Sequence, residues 1–233
     1  MRFAQPARRA HRAGFTLIEV VVVLGILSAL AAMATPGIQD MLERRRLQGF
    51  ARNFGNIFQI ARSQAIRTGN NYIVFFGPPA TTTDPAGTAI TNATGSPVPI
   101  LIVDDGSPAT ANCHIDVGEF EGSILLPSEI EFGVSEATIK VPTDTGTAAW
   151  ASPQLSGTTA SDPSDTATNW VLFRPDGIPV GFAPTGTTCG TIGDTGTGGA
   201  GFYFTSGGRD YAVTLAPLGS VRVHAWRPGG WTE

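Results

Sequence analysis

A long apolar segment near the N-terminus limits the architectures open to this chain. Residues 15–35 read FTLIEVVVVLGILSALAAMAT, and Glu19 is the only charged side chain among them. About 20 apolar residues in a helix span the hydrocarbon core of a bilayer. Residues 2–12 contain no acid and four arginines, and such a basic flank stays on the cytoplasmic side of a membrane. The pattern predicts one transmembrane helix over residues 15–35, with the residues that follow it exported.

A secretory signal peptide is the alternative interpretation of this segment. The basic region before it is short, and Ala32-Met33-Ala34 resembles a cleavage site between small residues. Glu19 argues against this alternative, because a charge inside an apolar helix costs about 2–3 kcal/mol at its middle and less near an end. A segment that is merely discarded has no reason to carry that cost. The carboxylate therefore indicates a functional role that involves a cation.

Gly14-Phe15-Thr16-Leu17-Ile18-Glu19, after the basic leader, resembles the prepilin peptidase site of type IV pilins and type II secretion pseudopilins. The resemblance implies a leader of residues 1–14, cleavage by prepilin peptidase between Gly14 and Phe15, and N-methylation of Phe15. It also implies that Glu19 and Pro36 serve assembly. Glu19 would pair with the Phe15 amine of its own or a neighbouring subunit, and Pro36 would weaken the helix. A simple helix end at Pro36-Gly37 is the alternative for the proline.

A second helical pattern follows the proline. Apolar residues recur every three or four positions between Leu47 and Ile66, and this spacing predicts an amphipathic stem helix over residues 36–68. Gly69-Asn70 is a typical helix end. The arginines at 44–46 could contact lipid headgroups or acidic stems of neighbours, or they could form a solvated helix face.

Residues 69–233 have the composition of a β-rich head. Short apolar runs alternate with loops rich in Gly, Pro, Thr and Ser, a pattern typical of antiparallel sheets. Strands are predicted at Tyr72–Phe76, Trp170–Phe173 and Tyr211–Leu215, and also at Cys113–Val117 and Thr138–Val141. The predicted fold class is therefore α+β, with the long N-terminal helix packed on an antiparallel sheet.

Three segments beyond the N-terminal motif resemble the GspH/FimT group of minor pilins. They are Ala61–Arg67 at the end of the stem, Phe173–Gly177 and the ending at 212–223. The resemblance implies a pilin-like fold and partners among other pilin or pseudopilin subunits. It also implies a single-pass protein of the bacterial inner membrane whose periplasmic head later joins a pseudopilus or pilus.

The head offers no signature of catalysis. Cys113 and Cys189 could form one disulfide if the head is exported, or they could be two small core residues. No Cys/His spacing typical of a metal site is present, and no hydrolase motif or cofactor motif has its supporting context. We therefore predict a protein that is not an enzyme and needs no cofactor.

Two functions fit these features. The first is a minor pseudopilin of a type II secretion system, in the periplasmic pseudopilus that drives protein export across the outer membrane. The second is a FimT-like minor pilin that contributes to pilus assembly or DNA uptake. In a strand, Arg222, His224 and Trp226 share a face. Arg222 and Arg227 could hold phosphates there, and Trp226 could stack on a base.

The charge of the head disfavours nucleic acid as a partner. Beyond residue 70 there are five basic and sixteen acidic residues, a balance of −11 that repels phosphate. The FimT-like pattern would also have an arginine directly after Gly219, where this chain has Ser220.

Overall fold

The computed structural model describes residues 15–79, 81–92, 94–116, 118–148 and 157–233, without the side chains of residues 33–40. The predicted leader at residues 1–14 lies outside these ranges. The chain divides after Leu42 into two compact units.

One helix, α1, covers Leu17–Thr68 and contains 52 residues. It begins after Thr16, whose Oγ1 accepts the Glu19 N–H at 3.3 Å. Its assignment is continuous through Pro36, and it ends at Gly69, whose left-handed φ of 76° costs a glycine little. Among the described residues, no helical stretch combines the length and the apolarity that a bilayer crossing requires.

Within the described ranges, twelve strands follow α1 and form three antiparallel sheets. One sheet has the order β3-β2-β1-β5-β6, a second has the order β12-β11-β10-β9-β4, and β7 pairs with β8 as a separate hairpin. The strands are β1 (Tyr72–Phe76), β2 (Ile100–Asp104), β3 (Phe120–Ile124), β4 (Glu131–Phe132), β5 (Trp170–Phe173), β6 (Pro179–Val180), β7 (Phe182–Thr185), β8 (Thr188–Ile192), β9 (Ala200–Ser206), β10 (Arg209–Leu215), β11 (Val221–Arg227) and β12 (Gly230–Thr232).

The apolar stripe of α1 lies between the two five-stranded sheets. Leu47, Phe54 and Phe58 are almost fully buried there, against residues of β1, β9 and β10. The ring of Phe54 lies 4.7 Å from that of Phe204, and the ring of Phe58 lies 4.8 Å from that of Phe202. Burying one such side chain contributes about 1.5–3 kcal/mol. The predicted α+β class, with a helix packed on antiparallel strands, is confirmed.

Two predicted strands are wrong. Residues 113–116 form a loop, in which Cys113 has a φ of 61° that is incompatible with a strand. Residues 138–141 also form a loop, and the Val141 N–H donates to the Tyr203 hydroxyl at 3.3 Å instead of to a neighbouring strand. In both loops a side chain accepts a backbone N–H that a sheet would otherwise use: Asp105 accepts that of Cys113, and Tyr203 accepts that of Val141.

Candidate functional site

The N-terminal part of α1 presents apolar side chains to its surroundings. Phe15 is 82% exposed, and the large apolar residues from Leu17 to Leu30 each remain 46–83% exposed. Contiguous apolar surface of this extent marks a membrane or protein contact. In the part of the chain that is described, the Glu19 carboxylate has no cation partner. A neutralising charge must therefore come from elsewhere if this surface enters an apolar medium.

Thr16 has a role that sequence reasoning missed. Thr16-Leu17-Ile18-Glu19 has the spacing of a capping box, in which a hydroxyl at the helix start accepts an N–H three residues later. The contact between Thr16 Oγ1 and the Glu19 N–H has that geometry. A carboxylate in the first turn also interacts favourably with the positive end of the helix dipole. Glu19 thus has a local role besides the assembly role that the sequence predicts.

The described ranges contain less of the other residues that the sequence predicts to act in processing and assembly. Gly14 lies outside the described ranges, and so does the side chain of Pro36. A proline within a helix donates no N–H, so the carbonyl four residues earlier, at residue 32, lacks its usual partner. The cleavage site and the role of Pro36 stay predictions.

Cys113 and Cys189 form a disulfide that joins the loop after β2 to β8. Their Cα atoms lie 4.9 Å apart, and 76 positions separate them in sequence. Asp105 lies directly beside the bond. Its Oδ1 accepts the N–H groups of Asn112 and Cys113 at 3.1 Å and 2.9 Å, and its Oδ2 lies 3.8 Å from Cys189 Sγ.

The group around this disulfide does not make a metal site. Asp105, Cys113 and Cys189 are a described trio whose ligand atoms all lie within 4.8 Å of one another. Metal ligation by cysteine requires a thiolate, and both sulfur atoms are already bonded to each other. Burial instead raises the pKa of Asp105 to about 6, against the two backbone N–H groups and His114, which favour the ionised form.

This carboxyl predicts a pH dependence of stability. Its pKa in the folded state lies above the ordinary value, so the folded head takes up a proton that the unfolded chain still lacks as pH falls through 6. The free energy of unfolding should therefore rise by about 1.4 kcal/mol between pH 7.5 and pH 5.0 from this group alone. The titratable neighbours of Asp105 are His114, Asp116 and Glu119. Urea unfolding followed by tryptophan fluorescence at both pH values measures the effect.

Asp105→Asn is the matched variant for that measurement. The amide oxygen keeps the position of Oδ1 and can still accept both backbone N–H groups, so we expect folding to persist. The rise toward pH 5.0 should then be smaller than in the unmodified chain by the same 1.4 kcal/mol, on the order of one pKa unit. An equal pH dependence in both proteins would contradict the assignment to Asp105.

The residues predicted for nucleic-acid contact lie on β11, where Arg222 and Arg227 are exposed, and their role stays a prediction. Arg222, His224 and Trp226 do alternate with the side chains that face α1. However, Arg222 Nη1 bonds Glu233 Oε1 at 2.6 Å, and the Trp226 ring packs on Trp231 at 5.3 Å. His224 is buried, which lowers its pKa, and its Nε2 lies 3.1 Å from the hydroxyl of Thr214. These three side chains therefore have contacts within the head, although Arg222 and its partner Glu233 both remain more than half exposed.

Comparison with known proteins supports the N-terminal assignment. Residues 9–35 match a family model described as the prokaryotic N-terminal methylation motif. The predicted prepilin-type motif is thereby confirmed, and the match lies within the N-terminal part of the chain. No curated protein sequence matches the chain significantly.

One solved structure is similar to this chain in fold. It is the minor pseudopilin EpsH from the type 2 secretion system of Vibrio cholerae, with a TM-score of 0.37 and 10% sequence identity. The similarity covers 78% of this chain and 98% of the EpsH chain.

Proposed function

We propose that this chain is a minor pseudopilin subunit of a type II secretion system. It would assemble into the periplasmic pseudopilus that drives protein export across the outer membrane. The observation that carries the proposal is the methylation motif at residues 9–35, whose apolar part is exposed and contains one acid, Glu19, without a cation partner in the described residues.

The chemistry of assembly follows from that acid. Cleavage between Gly14 and Phe15 would free an α-amine, which is protonated near neutral pH, and methylation keeps its charge. In an apolar bundle of stems, the Glu19 carboxylate would pair with the Phe15 amine of a neighbouring subunit. Such a pair fixes the register of packed helices more than it adds net stability. The role needs neither a cofactor nor a catalytic group.

Two further observations favour a protein that crosses the inner membrane once and has a periplasmic head. Residues 2–12 carry only basic charges, so the N-terminus stays cytoplasmic while residues 15–35 cross the inner membrane once. The Cys113–Cys189 disulfide suits an oxidising compartment such as the periplasm.

A FimT-like minor pilin that acts in pilus assembly or DNA uptake is the second candidate. It shares the same N-terminal chemistry, so only the head distinguishes the two. The engaged Arg222, His224 and Trp226, together with the head charge of −11, argue against DNA as the partner.

Glu19→Gln is the decisive variant, because glutamine also completes a capping box but carries no charge. We expect its incorporation into sheared filaments to fall at least tenfold, since losing one partner of a buried ion pair costs about 3–5 kcal/mol. Immunoblots of the sheared fraction, normalised to the membrane fraction, measure incorporation.

N-terminal sequencing of the mature protein should give N-methylphenylalanine at residue 15, whereas a start near Thr35 would favour the signal-peptide alternative.

The matched control is Glu43→Gln, a second acid of α1 outside the predicted membrane segment. It should assemble like the unmodified chain. If Glu19→Gln also assembles normally, Glu19 acts only as a helix cap and the proposal loses the observation that carries it.

A further inference from the structure

A cleft of about 300 Å³ lies beside α1, at the place where β10 begins and β11 ends. Three arginines line it, one from each of these elements: Arg44, Arg209 and Arg227. All the residues that line the cleft belong to the second compact unit, which begins at Glu43. We call this cavity the arginine cleft.

The register of the sheet sets two of these arginines against each other. Tyr211 of β10 is the partner of Ala225 of β11, and both pack on the core that contains α1 residues. Side chains alternate along a strand, so Arg209 and Arg227, each two positions away from this pair, lie on the same face and opposite each other. Like charges in opposite positions are unfavourable. This end of the sheet therefore favours an added negative charge.

The chain itself neutralises only part of the positive charge. Arg209 Nη1 lies 4.0 Å from Glu43 Oε2. In the part of the chain that is described, Arg44 and Arg227 are exposed and form no hydrogen bond or ion pair with another side chain. Two guanidinium groups of the arginine cleft are therefore available to a ligand.

The two acids that line the cleft belong to the other face of the sheet. Asp210 alternates with Arg209, and its oxygens accept the N–H groups of residues 135–137 on that other face. Glu136 is part of the turn that Asp210 binds. The α1 side of the cleft thus combines three arginines with one nearby acid, Glu43, and guanidinium groups in such an excess favour an oxyanion as the ligand.

The position of these arginines in the chain favours a membrane lipid as the source of that oxyanion. Arg44 follows Thr35, the end of the predicted membrane segment, by about 14 Å of helix at 1.5 Å per residue. Arginines close to the exported end of such a segment run against the usual charge bias of membrane proteins. The acids that dominate beyond residue 70 would repel an anionic membrane, whereas a cationic cleft close to the anchor would attract it.

We propose that the arginine cleft binds the phosphate of an anionic lipid in the periplasmic leaflet of the inner membrane. Arg44, Arg209 and Arg227 hold the phosphate oxygens, because the paired N–H groups of a guanidinium match two oxygens of one phosphate. The inference rests on the proposed function for the topology, which sets the head beside the membrane before assembly. The bound lipid would then give the head one orientation on the membrane surface.

Native mass spectrometry of the full chain, released from neutral detergent micelles, tests this proposal. The micelles contain equal concentrations of phosphatidylglycerol, which is anionic, and phosphatidylcholine, whose headgroup has no net charge. We expect the chain to retain a single phosphatidylglycerol, and to retain phosphatidylcholine about tenfold less. The double variant Arg44→Gln, Arg227→Gln should retain phosphatidylglycerol about tenfold less, since each guanidinium near an anionic lipid contributes about fivefold to its binding.

The double variant Arg45→Gln, Arg52→Gln is the matched control. It removes the same charge, and both side chains are exposed, lack a described partner and lie outside the arginine cleft. Neither pair of arginines has a partner in the described residues, so we expect both variants to fold. The control should retain phosphatidylglycerol like the unmodified chain. Equal losses in the two double variants would show a general attraction of cations to anionic lipid and would overturn the proposal, as would equal retention of the two lipids.

Inorganic phosphate and a soluble peptide rich in glutamate are the competing ligands. Phosphate in excess should displace the lipid, because it offers the same oxygens, whereas the peptide should displace it less well. Binding of inorganic phosphate in preference to phosphatidylglycerol at equal concentration would overturn the lipid as the ligand. Displacement by less peptide than phosphate would favour an acidic segment of a neighbouring subunit and would also overturn it.

The Glu19 experiment reports separately on the proposed function. Filament assembly that depends on Glu19, in a chain that retains no phosphatidylglycerol, would remove only the lipid site. Retention of phosphatidylglycerol through Arg44 and Arg227, with assembly that does not depend on Glu19, would remove only the proposed function.

Discussion

Replacing both Cys113 and Cys189 by alanine is expected to lower the free energy of unfolding by about 4 kcal/mol. The bond closes a loop of 76 positions, and cross-links of that length restrict the unfolded chain by this amount in the chain-entropy description. It also ties the loop after β2 to the β7–β8 hairpin, a pair of strands that joins neither five-stranded sheet. Urea unfolding of the full chain in detergent, followed by tryptophan fluorescence, measures the loss.

Reductant supplies the control for that prediction. The unmodified chain should lose a similar stability when the disulfide is reduced, whereas the double alanine variant should not respond to reductant. The slope of the unfolding free energy against urea should also rise in the variant, because its unfolded state exposes more surface. A loss below about 1 kcal/mol would contradict the chain-entropy description for this bond.

Local periodicity explains which parts of the fold were predictable. The α1 stripe between Leu47 and Ala65 repeats with the helical period, and its buried positions form the core. Strands β1 and β5 have their predicted bounds, Tyr72–Phe76 and Trp170–Phe173, because each is a continuous apolar run between turn signals. The N-terminal motif was equally readable, since all its residues lie within one short segment.

The two wrong strands show where local pattern fails. Residues 113–116 read Cys-His-Ile-Asp, and Asp105 holds the Cys113 N–H in a loop. Residues 138–141 lie in a loop whose preceding turn is bound by Asp210, more than 70 positions away. In both loops a side-chain acceptor outweighs a modest β preference, and for residues 138–141 that acceptor lies outside any window of neighbouring residues.

Contacts between residues far apart in sequence also determine which side chains of β11 are exposed and which charges are paired. Alternation correctly places Arg222, His224 and Trp226 on one face of β11. It cannot show that residues 134–141 and Trp231 pack on that face, or that Glu233 neutralises Arg222. Likewise, the net charge of −11 beyond residue 70 can be counted from the sequence, but which of these charges form ion pairs cannot. The unpaired Arg44, Arg52 and Arg227 emerge only when the contacts of the other cations are known.

Asp210→Ala is expected to lower the free energy of unfolding by about 3 kcal/mol, a large loss for a single side chain. The carboxylate is 1% exposed and accepts the N–H groups of Ser135, Glu136 and Ala137 at 2.8, 2.7 and 2.6 Å, besides the Ser135 hydroxyl at 2.9 Å. Hydrogen bonds to a buried charge contribute about 1.5–3 kcal/mol each, and the donors left behind lose that acceptor. Urea unfolding measures the cost.

The expected effect is large because Asp210 holds in place a loop that covers a small cluster of apolar side chains. The turn that it binds leads into Ala137 and Val141, which pack with Tyr203 and Ala212 on the outer face of β9 and β10. The Tyr203 hydroxyl donates to Asp144 at 2.6 Å within this cover, and burial raises the pKa of Tyr203. Without Asp210 we expect the turn to detach, so that the apolar side chains of this cluster become exposed to water.

Asp162→Ala is the matched comparison for Asp210→Ala. Asp162 also accepts two backbone N–H groups, from Ser164 and Thr166, but it does so in a solvent-accessible turn. Water can replace its bonds, so we expect a loss below about 1 kcal/mol. Asp210→Asn should remain costly, because its amide would direct N–H groups at the donors of Glu136 and Ala137. Similar losses for the exposed and the buried aspartate would contradict the view that desolvated charge, rather than turn geometry, holds this loop in place.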